Sequence, residues 1–202
     1  MDKDIEVKER IMNITMSIIR EYGDISSITI RKISERAGIS VGSINYHFQT
    51  KDNLIDICVQ YLINREISSL NAFCESLSGT PHERLRTMLS SAAESLVSNP
   101  EVFKIAIMSD LKKGIVSNNS IRMLEAFLPA VRAAFGESKT EYELRVIVQS
   151  VVGTIQTAFL YADALKQFSG IDFFDKTDRE EFMDTLLDNI LSSSSKDKVV
   201  YL

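Results

Sequence analysis

Apolar residues recur every three or four positions through most of the chain, which is the period of an amphipathic α-helix. The first such stripe covers residues 4–22, and Gly23 follows it, as a glycine commonly follows the last turn of a helix. No alternation of apolar and polar residues stands out beside a hairpin turn. The pattern therefore predicts an all-α fold.

Apolar spacing and capping residues together predict about nine helices. Three of the expected starts have Thr80, Ser138 or Thr177 as the N-cap, each with Glu three positions later. Pro129 lies inside one predicted helix and would remove the bond to the Glu125 carbonyl, so we expect a kink or a break there. The predicted ranges are 4–22, 29–37, 41–48, 51–78, 81–98, 100–112, 118–135, 139–168 and 178–192.

Two of these helices, 29–37 and 41–48, are short and are separated by a three-residue turn that contains Gly38. Thr29 and Ser40 are placed to cap them. This spacing predicts a helix-turn-helix, in which the second helix enters the DNA major groove. The positions expected to pack the pair against helix 4–22 are Ile33, Ala37, Ile39, Ile44 and Phe48. The positions expected to face outward are Ser40, Val41, Ser43, Asn45, Tyr46 and His47.

Net charge at first argues against nucleic-acid binding, because the 202 residues include 28 acidic and 23 basic side chains, a net charge of −5. The charge is unevenly distributed. Residues 28–51 contain Arg31, Lys32, Arg36 and Lys51 against Glu35 alone, which is a local charge of +3, whereas residues 53–202 carry −5. The local excess is either a chance fluctuation or a phosphate-binding face.

Several classes of protein are not indicated by the sequence. No run of about 18 apolar residues predicts a membrane-spanning helix, and the charged start Met1–Glu6 does not resemble a secretory signal. Cys58 and Cys74 are not in metal or redox spacing, which fits a reducing compartment. We therefore expect a cytoplasmic protein.

Catalytic motifs are also missing from the sequence. His47 and His82 are the only histidines and lie 35 positions apart, and no phosphate-binding glycine loop, nucleophile elbow or zinc motif occurs. A carboxylate pair assembled by the fold is the remaining route to catalysis. We expect no enzyme activity, no cofactor and no metal.

The segment from Ile28 to Leu54 contains a more specific signature. It includes Ala-Gly-Ile-Ser at 37–40, Gly-Ser-Ile at 42–44, Tyr-His-Phe at 46–48 and Lys-Asp-Asn-Leu at 51–54. In order and spacing this resembles the DNA-binding signature of the tetracycline-repressor (TetR) family of transcriptional regulators. The motif covers about the first quarter of the chain. The remainder resembles that family only in being all-helical and of suitable length.

The resemblance implies a helix-turn-helix DNA-binding domain in residues 1–50 and a helical ligand-binding and dimerisation domain in residues 51–202. Asn45 departs from the family, which often has Tyr there; the amide could pair with adenine, bond a phosphate or bond a neighbouring backbone group. The residues that the resemblance assigns to DNA are Thr29, Arg31, Ser40, Val41, Gly42, Ser43, Asn45, Tyr46, His47 and Lys51.

The resemblance also implies an effector cavity and a homodimer in the second domain. Candidate cavity residues, for which an ordinary core role is the alternative, are Met88, Phe103, Met108, Phe127 and Phe159. Candidate dimer-interface residues on the last two long helices are Val148, Val151, Val152, Ile155, Phe182, Leu186 and Ile190. The expected function is a DNA-binding regulator, most simply a repressor released from a palindromic operator by a small lipophilic effector. The alternative is a helical ligand- or partner-binding protein without a DNA role.

Overall fold

The computed structural model describes residues 2–23, 27–113 and 118–192, and every regular element in those ranges is helical. The all-α prediction is confirmed, with ten α-helices against about nine expected and a short 3₁₀ turn at Gly136–Ser138. The α-helices are α1 Asp2–Tyr22, α2 Ile30–Ala37, α3 Val41–Phe48, α4 Lys51–Ser76, α5 Pro81–Ser98, α6 Pro100–Lys113, α7 Asn118–Phe135, α8 Glu141–Leu160, α9 Ala162–Ser169 and α10 Lys176–Ser192.

The chain folds into two compact units that both include part of α4. The first unit is Met1–Arg65 with Asn99–Ile115, and the second is Glu66–Ser98 with Val116–Leu202. In the first unit, α1 packs against α2 and α6, and α2 packs against α3. In the second unit, α7 packs against α5 and α8, while α10 packs against α5 and α8.

The core of the first unit forms where the sequence places its apolar stripes. Ile33, Ala37, Ile44 and Phe48 are buried, as expected, whereas Ile39 is only half-buried. Cys58 on α4 is also buried, and burial raises the pKa of its thiol to about 12, because the thiolate would lose its hydration. This thiol therefore behaves as a core side chain.

A buried cation holds the second unit together around Arg179, which is only 4% exposed. Its Nη1 donates to the carbonyl oxygens of Phe173, Phe174 and Asp175 at 3.0, 3.3 and 3.3 Å. Its Nη2 donates to the carboxylate of Glu94 on α5. Since the buried guanidinium is paired and hydrogen-bonded, α10, the turn before it and α5 are joined by one side chain.

Three capping predictions have different outcomes in the second unit. The box at Thr80 is confirmed, because the Thr80 hydroxyl accepts from the Glu83 N–H at 3.3 Å and the Glu83 carboxylate accepts from the Thr80 N–H at 2.8 Å. The box at Ser138 is wrong. The 3₁₀ turn after α7 occupies that position, and Thr140 caps α8 with Glu143 instead.

The expected cap at Thr177 is also wrong. The α10 helix begins two residues earlier than predicted, at Lys176 instead of residue 178, and Asp175 supplies the cap. Its carboxylate accepts from the N–H groups of Thr177 and Asp178 at 2.8 and 3.1 Å. A short acidic side chain satisfies two helix-terminal donors at once, which favours Asp175 over Thr177.

The single helix expected over 139–168 is wrong, because the chain turns by 93° between α8 and α9. Tyr161 lies at the break and loses no backbone bond, since its N–H donates to Thr157 and its carbonyl accepts from Leu165, both at 2.9 Å. Phe159, two residues earlier, packs against Phe173 and Phe174, with ring centroids 6.4 and 6.1 Å away. Tertiary packing thus stabilises a break that neither Gly nor Pro marks.

Pro129 does not interrupt α7, which is continuous from Asn118 to Phe135. Of the kink or break that the sequence predicts, the break does not occur. Both Pro129 and Glu125 are exposed, so water can bond the Glu125 carbonyl that the proline ring leaves without a helical donor.

Candidate functional site

The helix-turn-helix is fixed by bonds from its own residues. The Thr29 hydroxyl accepts from the Lys32 N–H at 3.2 Å and begins α2, as expected. Gly38 ends α2 with φ +64°, a left-handed conformation that glycine adopts without strain. The Ser40 hydroxyl accepts from the Ser43 N–H at 3.1 Å and begins α3, again as expected. The direction of the second helix is therefore set locally.

The end of α3 is equally tightly specified. Gln49 has φ +65° and ψ −55°, and the Thr50 N–H donates to the Phe48 carbonyl at 2.7 Å, so Gln49 is the centre of a γ-turn. The Thr50 hydroxyl then accepts from the Asn53 N–H at 3.1 Å, and the Asn53 amide donates to the Phe48 carbonyl at 2.8 Å. Only one strained residue separates α3 from the cap of α4.

The outer face of α3 is exposed along its first turn and again at its end. Ser40, Val41, Gly42 and Asn45 are exposed, and Ser43 is half-buried. Tyr46 is 78% exposed, the largest exposed fraction among the large apolar and aromatic side chains of α3. This face presents hydroxyl, amide and phenol groups and small side chains, which suits close approach to a nucleic-acid groove.

His47 differs from its neighbours, because its side chain is only 4% exposed. Its Nε2 lies 3.6 Å from Oδ1 of Asp4 on α1. Its ring packs edge-on against Tyr46 and Phe48, with centroids 5.1 and 6.2 Å apart. The imidazole therefore packs α3 onto α1 in this structure.

The basic side chains of α2 are already engaged within the first unit. Arg31 forms an exposed ion pair with Glu35 at 3.0 Å, and Arg36 pairs with Glu21 on α1. Lys32 lies over the ring of Tyr22. The Tyr22 side chain is 42% exposed, and its ring contacts this α2 lysine in a cation–π interaction. Lys51, half-buried, is the first residue of α4.

A cavity of about 650 Å³ lies within the second unit, between the end of α4, α5 and α7. Its volume falls in the range of small-molecule sites. Met88, one of the five candidate cavity residues, lines it. The other lining residues are Ile67, Asn71, Pro81, Arg84, Arg122, Glu125, Ala126, Pro129, Ala130 and Ala133.

The remaining candidate ligand residues lie elsewhere. Phe127 and Phe159 are buried core residues of the second unit and are not in the cavity lining. Phe103 is buried in the first unit, and Met108 in the same unit is 55% exposed. The structure therefore brings one of the five predicted residues to the cavity.

Sequence reasoning did not identify the polar lining residues Arg84, Arg122 and Glu125. A signal for them exists. Arg84 and Met88 are four positions apart on α5, and the α7 lining residues recur every three or four positions from Arg122 to Ala133. These residues can be recognised as cavity residues only when it is known that this face of α5 packs against this face of α7.

The candidate dimer residues fall into two groups. Val148, Val151, Val152 and Ile155 on α8 are buried within the single chain. The three on α10, Phe182, Leu186 and Ile190, are half-buried. Tyr142 and Val146 on α8 are exposed large side chains on the opposite face of that helix.

Within the described residues, no group of three or more His, Cys, Asp or Glu side chains is arranged to hold a metal ion. No individual helix in the same part of the chain meets the length and apolar-composition requirements for crossing a membrane, although α8 and α9 meet them when the bent pair is taken together.

Comparison with known proteins supports the helix-turn-helix assignment. Residues 16–57 match the model of the bacterial regulatory proteins of the tetR family. The chain is 21% identical over 168 residues to the HTH-type transcriptional regulator YerO of Bacillus subtilis, covering 77% of this chain and 57% of that protein. It is 26% identical over 98 residues to the HTH-type transcriptional regulator BetI of Serratia proteamaculans, covering 48% and 49%. The chain thus spans about half the length of the curated relatives it matches.

The whole fold also has solved counterparts. The transcriptional regulator FadR from Bacillus subtilis, crystallised in complex with stearoyl-CoA, superposes with a TM-score of 0.68 at 16% identity, covering 93% of this chain and 99% of that one. Fold, motif and relatives are similar to those of helix-turn-helix transcriptional regulators. Within that class, residues 16–57 carry the similarity to the tetR family, and the whole fold resembles that of a TetR-like regulator from Rhodococcus.

Proposed function

We propose that the protein is a cytoplasmic transcriptional repressor that binds a palindromic DNA operator as a homodimer and is released by a small lipophilic effector. The observation that carries the proposal is the exposed face of α3, held by the Ser40 cap and ending in an almost fully exposed Tyr46. That face suits the major groove. Regulation by binding requires no catalytic step, so no enzyme activity is part of the proposal.

The proposed docking divides the DNA contacts by type. The first turn of α3, with Ser40 through Ser43, reads base edges together with Asn45, while Thr29 and Arg31 approach the backbone from α2. Tyr46 binds a phosphate through its phenol hydroxyl. Lys51 binds a phosphate through its ammonium group, which lies at the N-terminus of α4, where an anion is favoured. The nearly buried His47 stays in the site by holding α3 on α1 rather than as the main phosphate ligand.

Release by an effector is supported by the cavity of the second unit. The fold relative FadR was crystallised with stearoyl-CoA, and the cavity here has a substantially apolar lining. An effector that prefers one conformation of the second unit shifts the population toward it. The α4 helix contributes to both units, so we propose it as the element that changes the spacing of the two recognition helices.

The proposed dimer uses the outer face of α8 with α10. Tyr142 and Val146 are exposed there, and Phe182, Leu186 and Ile190 are half-buried. The buried valines and Ile155 would stiffen this surface from beneath. A two-fold dimer places its recognition helices one DNA turn apart, which predicts a palindromic operator. Sedimentation should give a dimer at micromolar concentration, and a monomer would contradict this part.

The central test is selection of bound duplexes from a random DNA pool, which should yield a palindrome. The double variant Tyr46→Ala, Lys51→Ala should then bind the selected duplex at least tenfold more weakly, with the salt slope reduced by about 2, one for each Lys51 of the dimer. The matched control is Tyr161→Ala, Lys176→Ala, which removes an exposed tyrosine and an exposed lysine of the second unit, far from α3 in sequence, and should bind normally.

Two results would favour other conclusions. Full operator affinity in the Tyr46, Lys51 variant would contradict the docking. No enrichment of any duplex, together with no salt-sensitive retention on heparin, would favour the second candidate function, a helical ligand- or partner-binding protein without a DNA role. That candidate is supported by the same cavity.

A further inference from the structure

The cavity of the second unit combines an apolar lining with charged groups. Its apolar members come from the end of α4, the start of α5 and one face of α7. They are Ile67, Pro81, Met88, Ala126, Pro129, Ala130 and Ala133. Four small residues on α7 leave room for the body of a ligand, and Met88 adapts to irregular shapes. An uncharged aliphatic molecule would find these contacts sufficient.

Three charged side chains also line the cavity: Arg84, Arg122 and Glu125. Their formal sum is +1, in a chain whose net charge is −5. Arg84 is half-buried on α5, whereas Arg122 and Glu125 are exposed on α7. The cavity is therefore locally positive inside an acidic unit.

Among the arginines of the second unit, Arg84 differs in having no side-chain partner in the described part of the chain. Arg86 binds the carboxylates of Asp184 and Asp188. The remaining paired guanidinium groups are those of Arg132, Arg145 and Arg179, and Arg122 also makes an electrostatic or hydrogen-bond contact. The guanidinium of Arg84 has no hydrogen bond or ion pair to any described residue. A half-buried cation in the wall of a cavity, with no partner among the described residues, is available to a ligand anion.

We infer that the cavity binds an amphipathic organic anion, an apolar body with a terminal carboxylate or phosphate. The guanidinium of Arg84 donates two parallel N–H bonds to the anion, and the α7 alanines and Met88 contact the apolar body. This inference rests on the proposed function, since it specifies the chemistry of the effector. An alcohol of equal length lacks the charge for Arg84, and an amine places a second cation against it.

Calorimetric titration of the whole chain without DNA tests the inference with four probes that share a ten-carbon tail: decanoate, decyl phosphate, 1-decanol and decylamine. At least one of the two anions should bind ten times more tightly than 1-decanol, and decylamine should be the weakest. The stronger anion identifies the head group as carboxylate or phosphate.

Single substitutions distinguish the contribution of the Arg84 charge to ligand affinity from that of the apolar cavity lining. Arg84→Met should reduce affinity for the preferred anion by about tenfold and leave 1-decanol unchanged, because only the charged contact is lost. Arg84→Lys should give an intermediate loss, since the charge stays without the two-pronged geometry. Ala130→Phe should weaken all four probes by filling the cavity. The control Arg132→Met removes a paired arginine of α7 that does not line the cavity and should change none of the four.

Equal affinity for decanoate, decyl phosphate and 1-decanol would overturn the inference. Retention of the anion preference in Arg84→Met, with a normal melting curve, would do the same, as would no binding of either anion at millimolar concentration. Because DNA is not in the titration, these failures leave the repressor proposal standing. Anion binding in a protein that selects no duplex would instead reject the repressor and keep the site.

Discussion

The ammonium group of Lys32 lies 3.4 Å from the centroid of the Tyr22 ring. This cation–π contact joins the last turn of α1 to α2, and the ion pair of Glu21 with Arg36 joins the same two helices. Some of the basic side chains that give residues 28–51 a local charge of +3 are thus already paired within the protein. The basic side chains of α2 stabilise the first unit, and a DNA phosphate would compete with their internal partners.

That competition predicts a gain of DNA affinity in Glu35→Gln. The change releases Arg31, whose exposed ion pair contributes little to folding, for a phosphate contact. Affinity for the selected duplex at low salt should rise about threefold, with a steeper salt dependence. The control is Glu180→Gln, which breaks the exposed i, i+4 pair with Lys176 and changes net charge equally. An equal rise in both variants would point to overall charge rather than to Arg31.

Asn45 and Tyr46 are neighbours on the exposed face, and they should respond differently to substitution. Asn45→Ala removes the side chain but keeps the backbone carbonyl that ends α3 through the Gln49 N–H. If the amide pairs with adenine, discrimination at one base pair of each half-site should fall by about 1–3 kcal/mol. Repeating the random-pool selection measures this.

Tyr46→Ala is the comparison for that experiment, and it should lower affinity for every duplex by a similar factor, with the selected sequence unchanged. An unchanged sequence in the Asn45→Ala selection would assign the amide to a phosphate or to neighbouring backbone instead.

Arg179→Met should be the most destabilising of the arginine substitutions in the second unit. It removes the guanidinium donor from the carbonyls of Phe173 and Phe174 and removes the partner of Glu94, whereas the Asp175 carbonyl still accepts from the backbone N–H of residue 179. Loss of a buried, fully bonded cation typically costs about 3 kcal/mol of unfolding free energy. Urea denaturation followed by circular dichroism measures the change.

Arg86→Met provides the contrast, because its side chain is 34% exposed and its two carboxylate partners are more so. Its cost should be about 1 kcal/mol or less. Equal losses of unfolding free energy in Arg86→Met and Arg179→Met would show that burial does not determine how strongly these arginines stabilise the second unit.

The cap of α8 predicts an acid-sensitive contribution to stability. Glu143 accepts from the Thr140 N–H at 2.7 Å and from its hydroxyl at 2.8 Å, and these bonds lower the pKa of the carboxyl below 4.5. With the folded-state value depressed, the contribution is present above the unfolded-state pKa and is lost as pH falls through the folded-state value. Glu143→Gln should therefore lower Tm at pH 7 and should lower it less in acid, as the pH falls through the folded-state pKa.

Thr140→Ala tests the same cap from its other side and should lower Tm both at pH 7 and in acid, since the hydroxyl does not titrate. A Glu143→Gln deficit that persisted undiminished in acid would mean that the carboxylate charge plays no part in the cap.

The helix-turn-helix could be predicted from sequence because its determinants are local. Thr29, Gly38 and Ser40 act on residues within four positions of themselves, and each adopts the predicted role. The buried positions on α2 and α3 follow from helical spacing for the same reason. Because these bonds join residues that are close in sequence, the local sequence is sufficient to predict them.

Long-range features were not predictable in this way. The break at Tyr161 depends on the aromatic packing of Phe159 with residues more than ten positions later. The burial of Arg179 depends on Glu94, 85 positions away. Arg84 and Arg122 line one cavity only because α5 and α7 pack together. Each needs the tertiary arrangement, which helical periodicity alone does not determine.

The cap and turn bonds that begin and end α2 and α3 come from residues 29 to 53, including the γ-turn at Gln49 and the Asn53 amide bond to the Phe48 carbonyl. The conformation of this segment is therefore determined by its own residues. The corresponding segment of a related protein could replace it while the cavity residues from Ile67 to Ala133 stay unchanged. Under the proposed function, operator choice and effector choice can then diverge as separate traits. A lineage could give an existing chemical sensor new target genes through substitutions confined to about twenty positions.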